Sequence, residues 1–188
     1  MVMEKNLPGI ALAVLLALGC GNASNNDKAA DNNQPATNKE SGRSSTAAAG
    51  TSATKIRNNI DLQVKDLQVS QAFLMYDDGK LMPETNEASV GQPVRLRLVV
   101  EDGWKETNGS VSLGASERIE TNDGQMVVDE KDMFASVPNI SVQDAKFITL
   151  TATISQMDKL YDYFLVTCRV WDKNGPGEIN ASYRLYIK

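Results

Sequence analysis

Beyond residue 56, the strong apolar runs of this chain alternate with a period of two, and that restricts the fold more than any other feature. Val94, Leu96, Leu98 and Val100 alternate with Arg95, Arg97 and Glu101. Ile148, Leu150, Ala152 and Ile154 alternate with Thr149, Thr151 and Thr153. Phe164, Val166, Cys168 and Val170 alternate with Leu165, Thr167 and Arg169, and Ile179, Ala181, Tyr183, Leu185 and Ile187 close the chain. Successive side chains of a strand point to opposite faces, so each run is a strand with one buried face. Nearer the start, Ile60, Leu62 and Val64 share one parity while Leu67, Val69 and Phe73 share the other. A break or bulge near Lys65-Asp66 lets both sets face the core. Weaker strands are expected near residues 111–113 and 126–128. Asp78-Gly79, Asp102-Gly103, Asn108-Gly109, Asp123-Gly124 and Asn174-Gly175-Pro176-Gly177 supply the turns. Helix is confined to short turns at 141–146 and 155–160. Seven to eight short strands over about 130 residues predict an all-β fold, an antiparallel two-sheet sandwich.

Residues 21–55 contain no Val, Ile, Leu, Met, Phe, Trp or Tyr. Such a segment cannot bury enough apolar surface to offset chain entropy, so disorder is expected over residues 20–55 and the sandwich over 56–188. A flexible coil of that length reaches roughly 30–35 Å. Net charge is −5, with no cluster of Lys and Arg, which excludes a nucleic-acid surface. Histidine is absent, which excludes Ser-His-Asp and Cys-His catalysis, HExxH zinc sites and an imidazole switch. The two cysteines are Cys20 and Cys168. Zinc lacks ligands, and only oxygen-ligated cations such as calcium remain open.

The N-terminus has an apolar core at residues 10–18, about half of the roughly 20 residues that span a bilayer. It ends in Leu16-Ala17-Leu18-Gly19-Cys20. This resembles the lipobox of bacterial lipoproteins. The resemblance implies a signal peptide over 1–19, cleavage before Cys20, a diacylglycerol on the Cys20 sulfur and acylation of its new amine. Several acyl chains give stable anchoring where one is marginal. With Cys20 lipidated, Cys168 has no disulfide partner, so the core must hold by burial. Gly21 and Asn22, with no Asp after the cysteine, imply the outer membrane of a bacterial envelope.

The stretch from Tyr161 to Gly175, with residues 178–187, resembles the last two strands of the immunoglobulin-like domains of bacterial envelope proteins. There an F strand ends in Asp-x-x-Gly and turns into strand G, as Asp172-Lys173-Asn174-Gly175 does here. The family's tyrosine corner has no counterpart: Phe164 stands in register on the core face and carries no hydroxyl. The sandwich subtype stays open.

In such a sandwich the strands near 94–100 and 163–171 run the same way, so the loops after them meet at one end. Those loops hold Glu101, Asp102 and Trp104, then Asp172, Lys173 and Asn174; Asp129, Glu130 and Asp132 extend toward the same end. Carboxylates and amide oxygens in that number suit calcium, although Asp and Asn are also ordinary turn formers. Trp104 and Trp171 either stack on a glycan or plug the end of the core, and the plug is the expected role. Tyr163, Arg169 and Trp171 of one strand and Arg184 and Tyr186 of the next share the outward face. Aromatics with arginines are what interface cores enrich, so this is the expected partner surface. Cys168 falls on the core parity as an inert thiol. Paired-carboxylate catalysis needs a cleft that a domain this small rarely builds. The expectation is a non-catalytic, lipid-anchored envelope protein that binds a protein partner, with no cofactor. A glycan- or calcium-binding module using the loops around Asp102 and Asp172 is the alternative.

Overall fold

A computed structural model describes residues 54–188. The expected signal peptide, the expected lipidation site Cys20 and the segment up to residue 53 lie outside the described residues. In chain order the strands are β1 (Lys55–Ile56), β2 (Asp61–Lys65), β3 (Gln68–Tyr76), β4 (Glu87–Ala88), β5 (Val94–Asp102), β6 (Ser110–Val111), β7 (Leu113–Thr121), β8 (Met126–Glu130), β9 (Ile140–Ser141), β10 (Phe147–Ala152), β11 (Phe164–Asp172) and β12 (Glu178–Ile187). The fold is all-β, a sandwich of mainly antiparallel sheets. One sheet runs β1-β3-β5-β10 and the other β2-β12-β11-β7-β8, with β4 added beside β12. β6 and β9 form a separate short ribbon. The neighbours β12-β11-β7 reproduce the G-F-C order of an immunoglobulin sheet. Among the described residues, no helix is long and apolar enough to cross a membrane.

The period-two reading places most of the core correctly. Leu96, Leu98 and Leu150 from one sheet and Phe164, Val166, Ile179 and Leu185 from the other are all at most 2% exposed. Each such side chain contributes about 1.5–3 kcal/mol by leaving water. The chain breaks at Lys65-Asp66 as expected, although Val64, expected on the core face, is 39% exposed: β2 ends there and Asp66 adopts a left-handed backbone with φ of 53°. The two strands on either side then enter different sheets.

Four expectations are corrected. Phe73 faces outward rather than into the core. The β3–β5 ladder slips between Val69 and Gln71, leaving Ser70 without a partner, so the parity flips and Ala72 and Leu74 point inward. The weak strand near 111–113 is in fact the nine-residue β7. Its core row reads Leu113, Ala115, Glu117, Ile119 and Thr121, and the charged and hydroxyl residues hide the apolar alternation. Residues 155–160 form no helix, whereas 141–146 contains a 3-10 turn at Asp144–Lys146. Finally, Thr54 and Lys55 belong to the domain rather than to the segment before it. Thr54 Oγ1 donates to the Val69 carbonyl at 2.6 Å, and Lys55 pairs with Gln71.

Candidate functional site

The loops after β5 and β11 do meet. The Lys105 N–H donates to Asp172 Oδ2 at 2.5 Å, and the Asn174 N–H donates to Asp172 Oδ1 at 2.8 Å. Asp172 is only 5% exposed, so its two oxygens act as a clamp that ties one loop to the other. Neither oxygen is free for a cation. Asp102 is exposed and accepts only from the neighbouring Gly103 N–H at 2.7 Å. Glu101 accepts from Ser70 Oγ at 2.8 Å and pairs with Lys146 at 2.5 Å. Asp132 reaches this end, pairing with Lys173 at 2.9 Å while accepting from the Ala115 and Phe134 N–H groups. Asp129 pairs with Lys131 instead, and Glu130 lies exposed on β8. The expected convergence of Glu101, Asp102, Asp172 and Asn174 on one point is therefore not formed. Among the described residues no group of three or more acidic or thiol side chains has the geometry to hold a metal.

The two tryptophans part company. Trp104 is half-buried against the core and donates Nε1–H to the Ala145 carbonyl at 3.2 Å, which is the plug. Trp171 lies on the outward face of β11, across Gly114 of β7. A Cβ at position 114 would sit 2.1 Å from Trp171 Cε2, so only glycine leaves room for the ring to lie flat.

That outward face carries the residues expected on it. Arg169 packs over the Trp171 ring at 5.1 Å and pairs with Glu178 at 2.7 Å. About 13 Å further along β11, the Arg184 guanidinium lies 4.6 Å over the Tyr163 ring, and Tyr163 meets Tyr186 edge-on at 6.4 Å. Leu165 and Thr167 connect the two clusters, opposite Arg184 and Ser182. Thr167, Arg169 and Arg184 are exposed. The five predicted residues thus occupy one solvent-facing surface, in two clusters rather than one patch.

Beside the second cluster lies a groove of about 630 Å³ that sequence reading did not reveal. Asn59, Asp61, Thr85, Ser182, Arg184 and Tyr186 line it. Asn86 also lines it and is clasped to Asn58 behind it; both asparagines are fully or nearly buried and left-handed, Asn58 with φ of 60° and 0% exposed, Asn86 with φ of 53° and 3% exposed. Asn58 Nδ2 donates to Asn86 Oδ1 at 3.0 Å, and Asn86 Nδ2 donates to the carbonyls of Asn58 at 2.8 Å and Arg184 at 3.0 Å. Asn58 Oδ1 accepts from the Leu74 N–H at 2.9 Å. The only signal for this in the sequence was Asn58-Asn59, residue types that tolerate left-handed turns.

A second cluster that sequence reading missed lies inside the core. Glu117 is 1% exposed and directly opposite Cys168. The Cys168 thiol donates to Glu117 Oε1 at 3.8 Å, while Glu117 Oε2 and the nearby buried Tyr183 hydroxyl have no partner among the described residues. Burial drives the Glu117 carboxyl up to about 7, with the Glu130 charge adding to the rise and the thiol hydrogen bond opposing it. Burial and the adjacent Glu117 push the Cys168 thiol well above its ordinary value, so it stays protonated and inert.

The sequence matches no protein-family model and no curated protein. Among solved structures, the fold is similar to the C-terminal domain of wzt, at 13% identity with a TM-score of 0.43, covering 72% of this chain and 82% of that one. It is also similar to a superoxide reductase (neelaredoxin) from Ignicoccus hospitalis, at 11% identity with a TM-score of 0.33, covering 62% of this chain and 81% of that one. Likenesses this weak carry nothing about fold or activity.

Proposed function

We propose that this chain is a lipid-anchored bacterial envelope protein with a non-catalytic binding or assembly role, held to the outer membrane through Cys20. The anchor rests on the lipobox-like Leu16-Ala17-Leu18-Gly19-Cys20 alone. The binding role rests on one observation: two arginine–aromatic clusters, Arg169–Trp171 and Arg184–Tyr163–Tyr186, share a solvent-facing side of one sheet. Planar guanidinium and large rings lose little freedom on contact, so such pairs are efficient anchors for a protein partner. The non-catalytic part of the reading is supported by where the described acids lie. Among the described residues, the carboxyl with a strongly raised proton affinity, Glu117, is sealed in the core. Glu84, at the groove, is held by Arg57 at 3.0 Å and by the Asn58 N–H, so it is a poor proton donor.

Two experiments test the halves separately. Mass spectrometry of the mature N-terminus should find a diacylglyceryl Cys20, and an unmodified or differently cleaved terminus removes the anchor. A photo-crosslinker at Thr167 in the full chain should give one discrete adduct in intact envelopes. Arg169→Ala with Trp171→Ala should abolish it, and an adduct indifferent to that pair defeats the partner surface.

A further inference from the structure

We propose that the groove between Asp61 and Tyr186 is a binding site for a neutral glycan, independent of the lipid anchor and of the Arg169–Trp171 cluster. Three observations carry this. First, the polar groups at the rim are unused. Asp61, Arg184, Asn59, Thr85, Ser182 and the Tyr186 hydroxyl line the groove, and none of their side chains has a hydrogen-bond or ion-pair partner among the described residues. Arg184 only stacks on Tyr163. A second hollow of about 280 Å³ on the other side of Glu87 differs: there Tyr76 donates to the Glu87 carbonyl, Gln92 accepts from Ser89 and Lys188 pairs with Glu87. Its larger polar side chains are engaged by the chain, and only the hydroxyls of Ser89 and of Thr85, which it shares with the groove, are left over.

Second, the charges of the groove cancel. Glu84 is neutralised by Arg57 at 3.0 Å and Glu87 by Lys188 at 2.5 Å. That leaves one free carboxylate, Asp61, and one free guanidinium, Arg184. A cationic peptide would need surplus acid and a phosphate or acidic sugar surplus base. A neutral polyol needs what is present: an acceptor pair, a donor fork, hydroxyls and amides that do both, and an aromatic wall at Tyr186.

Third, the site is preorganised. Asn86, which lines it, is locked behind the wall to the buried Asn58 in a clasp whose amides are fully engaged by the chain. Binding then need not order the backbone beside the ligand. Its size, about 630 Å³, falls among small-molecule sites of roughly 300–1,000 Å³.

The test uses the full chain on an array of neutral and anionic bacterial oligosaccharides, followed by titration calorimetry with the strongest binder. The expected result is a neutral oligosaccharide whose affinity falls about tenfold or more in Asp61→Asn and in Tyr186→Ala, while Arg169→Ala binds as the parent does. Asp61→Asn preserves shape at an exposed position, so its effect cannot be ascribed to unfolding. Three outcomes overturn the proposal: no neutral oligosaccharide bound, binding untouched by Asp61→Asn, or preferential binding of anionic glycans lost only with Arg184→Ala. A parent chain that gives no Thr167 adduct while glycan binding is intact defeats the partner surface and leaves this site standing.

Discussion

The two ends of the β11–β12 sheet are built from the same residue types and do opposite things. At the Asp172 end, the central buried carboxylate and its neighbours are occupied by the chain's own peptide N–H groups or by lysines. At the groove end the buried asparagines are occupied in the same way, but an outer ring of Asp61, Arg184, Ser182 and Thr85 is left over. Richness in Asp and Asn therefore does not mark a site. What marks it is which of those groups still has unmet hydrogen-bonding capacity after the fold has formed.

The comparison breaks first at the clasp. Asn58→Ala should cost about 3–4 kcal/mol, because it strands the buried Leu74 N–H and the Met82 carbonyl. Urea denaturation of the full chain would show it as a lowered midpoint at unchanged slope. A loss below about 1 kcal/mol would mean the clasp is not a rigid support.

Both ends hang on a core that itself titrates. The folded Glu117 carboxyl sits at about 7, above its ordinary 4.5. The folded state therefore holds a proton that the unfolded chain releases. The associated stability is present in full below about pH 4.5 and is lost as pH rises through about 7, roughly 3 kcal/mol in all. Glu117→Gln should remove that slope, seen as a melting temperature that no longer falls between pH 5 and 7.5. A parent protein with no such fall would mean that Glu117 reaches solvent or a partner.

At the loop end, Asp172→Ala should cost about 1 kcal/mol by removing the acceptor that ties the exposed Lys105 and Asn174 N–H groups together. The smallest effects sharpen the contrast most. Asp102→Asn and Asp61→Asn should each change stability by no more than about 0.5 kcal/mol, since neither is buried or ion-paired. Only the second should alter glycan binding. Equal effects of both on binding would erase the distinction between the ends.

Much of the architecture was legible beforehand because strand alternation is local. The faces of β5, β10, β11 and β12, the break at Lys65-Asp66 and the shared outward face of Arg169 and Arg184 all follow from it. The misreadings have equally local causes. Ser70, one unpaired residue, inverts everything after it in β3, and Glu117 looks like a surface position because charge is rarely buried. The groove was illegible for a different reason. Asn86 donates to the carbonyl of Arg184, a residue 98 positions away, and nothing near either one announces the contact.

The sequence by itself determined that the domain is all-β, which side chains of β5, β10, β11 and β12 face its core, that histidine-based chemistry is closed to it, and where a lipobox-like cysteine stands. Only the tertiary structure decided which polar groups are bonded and which are left open. Alternation is set by the geometry of one strand, whereas the satisfaction of a donor or acceptor depends on whatever distant segment packs beside it.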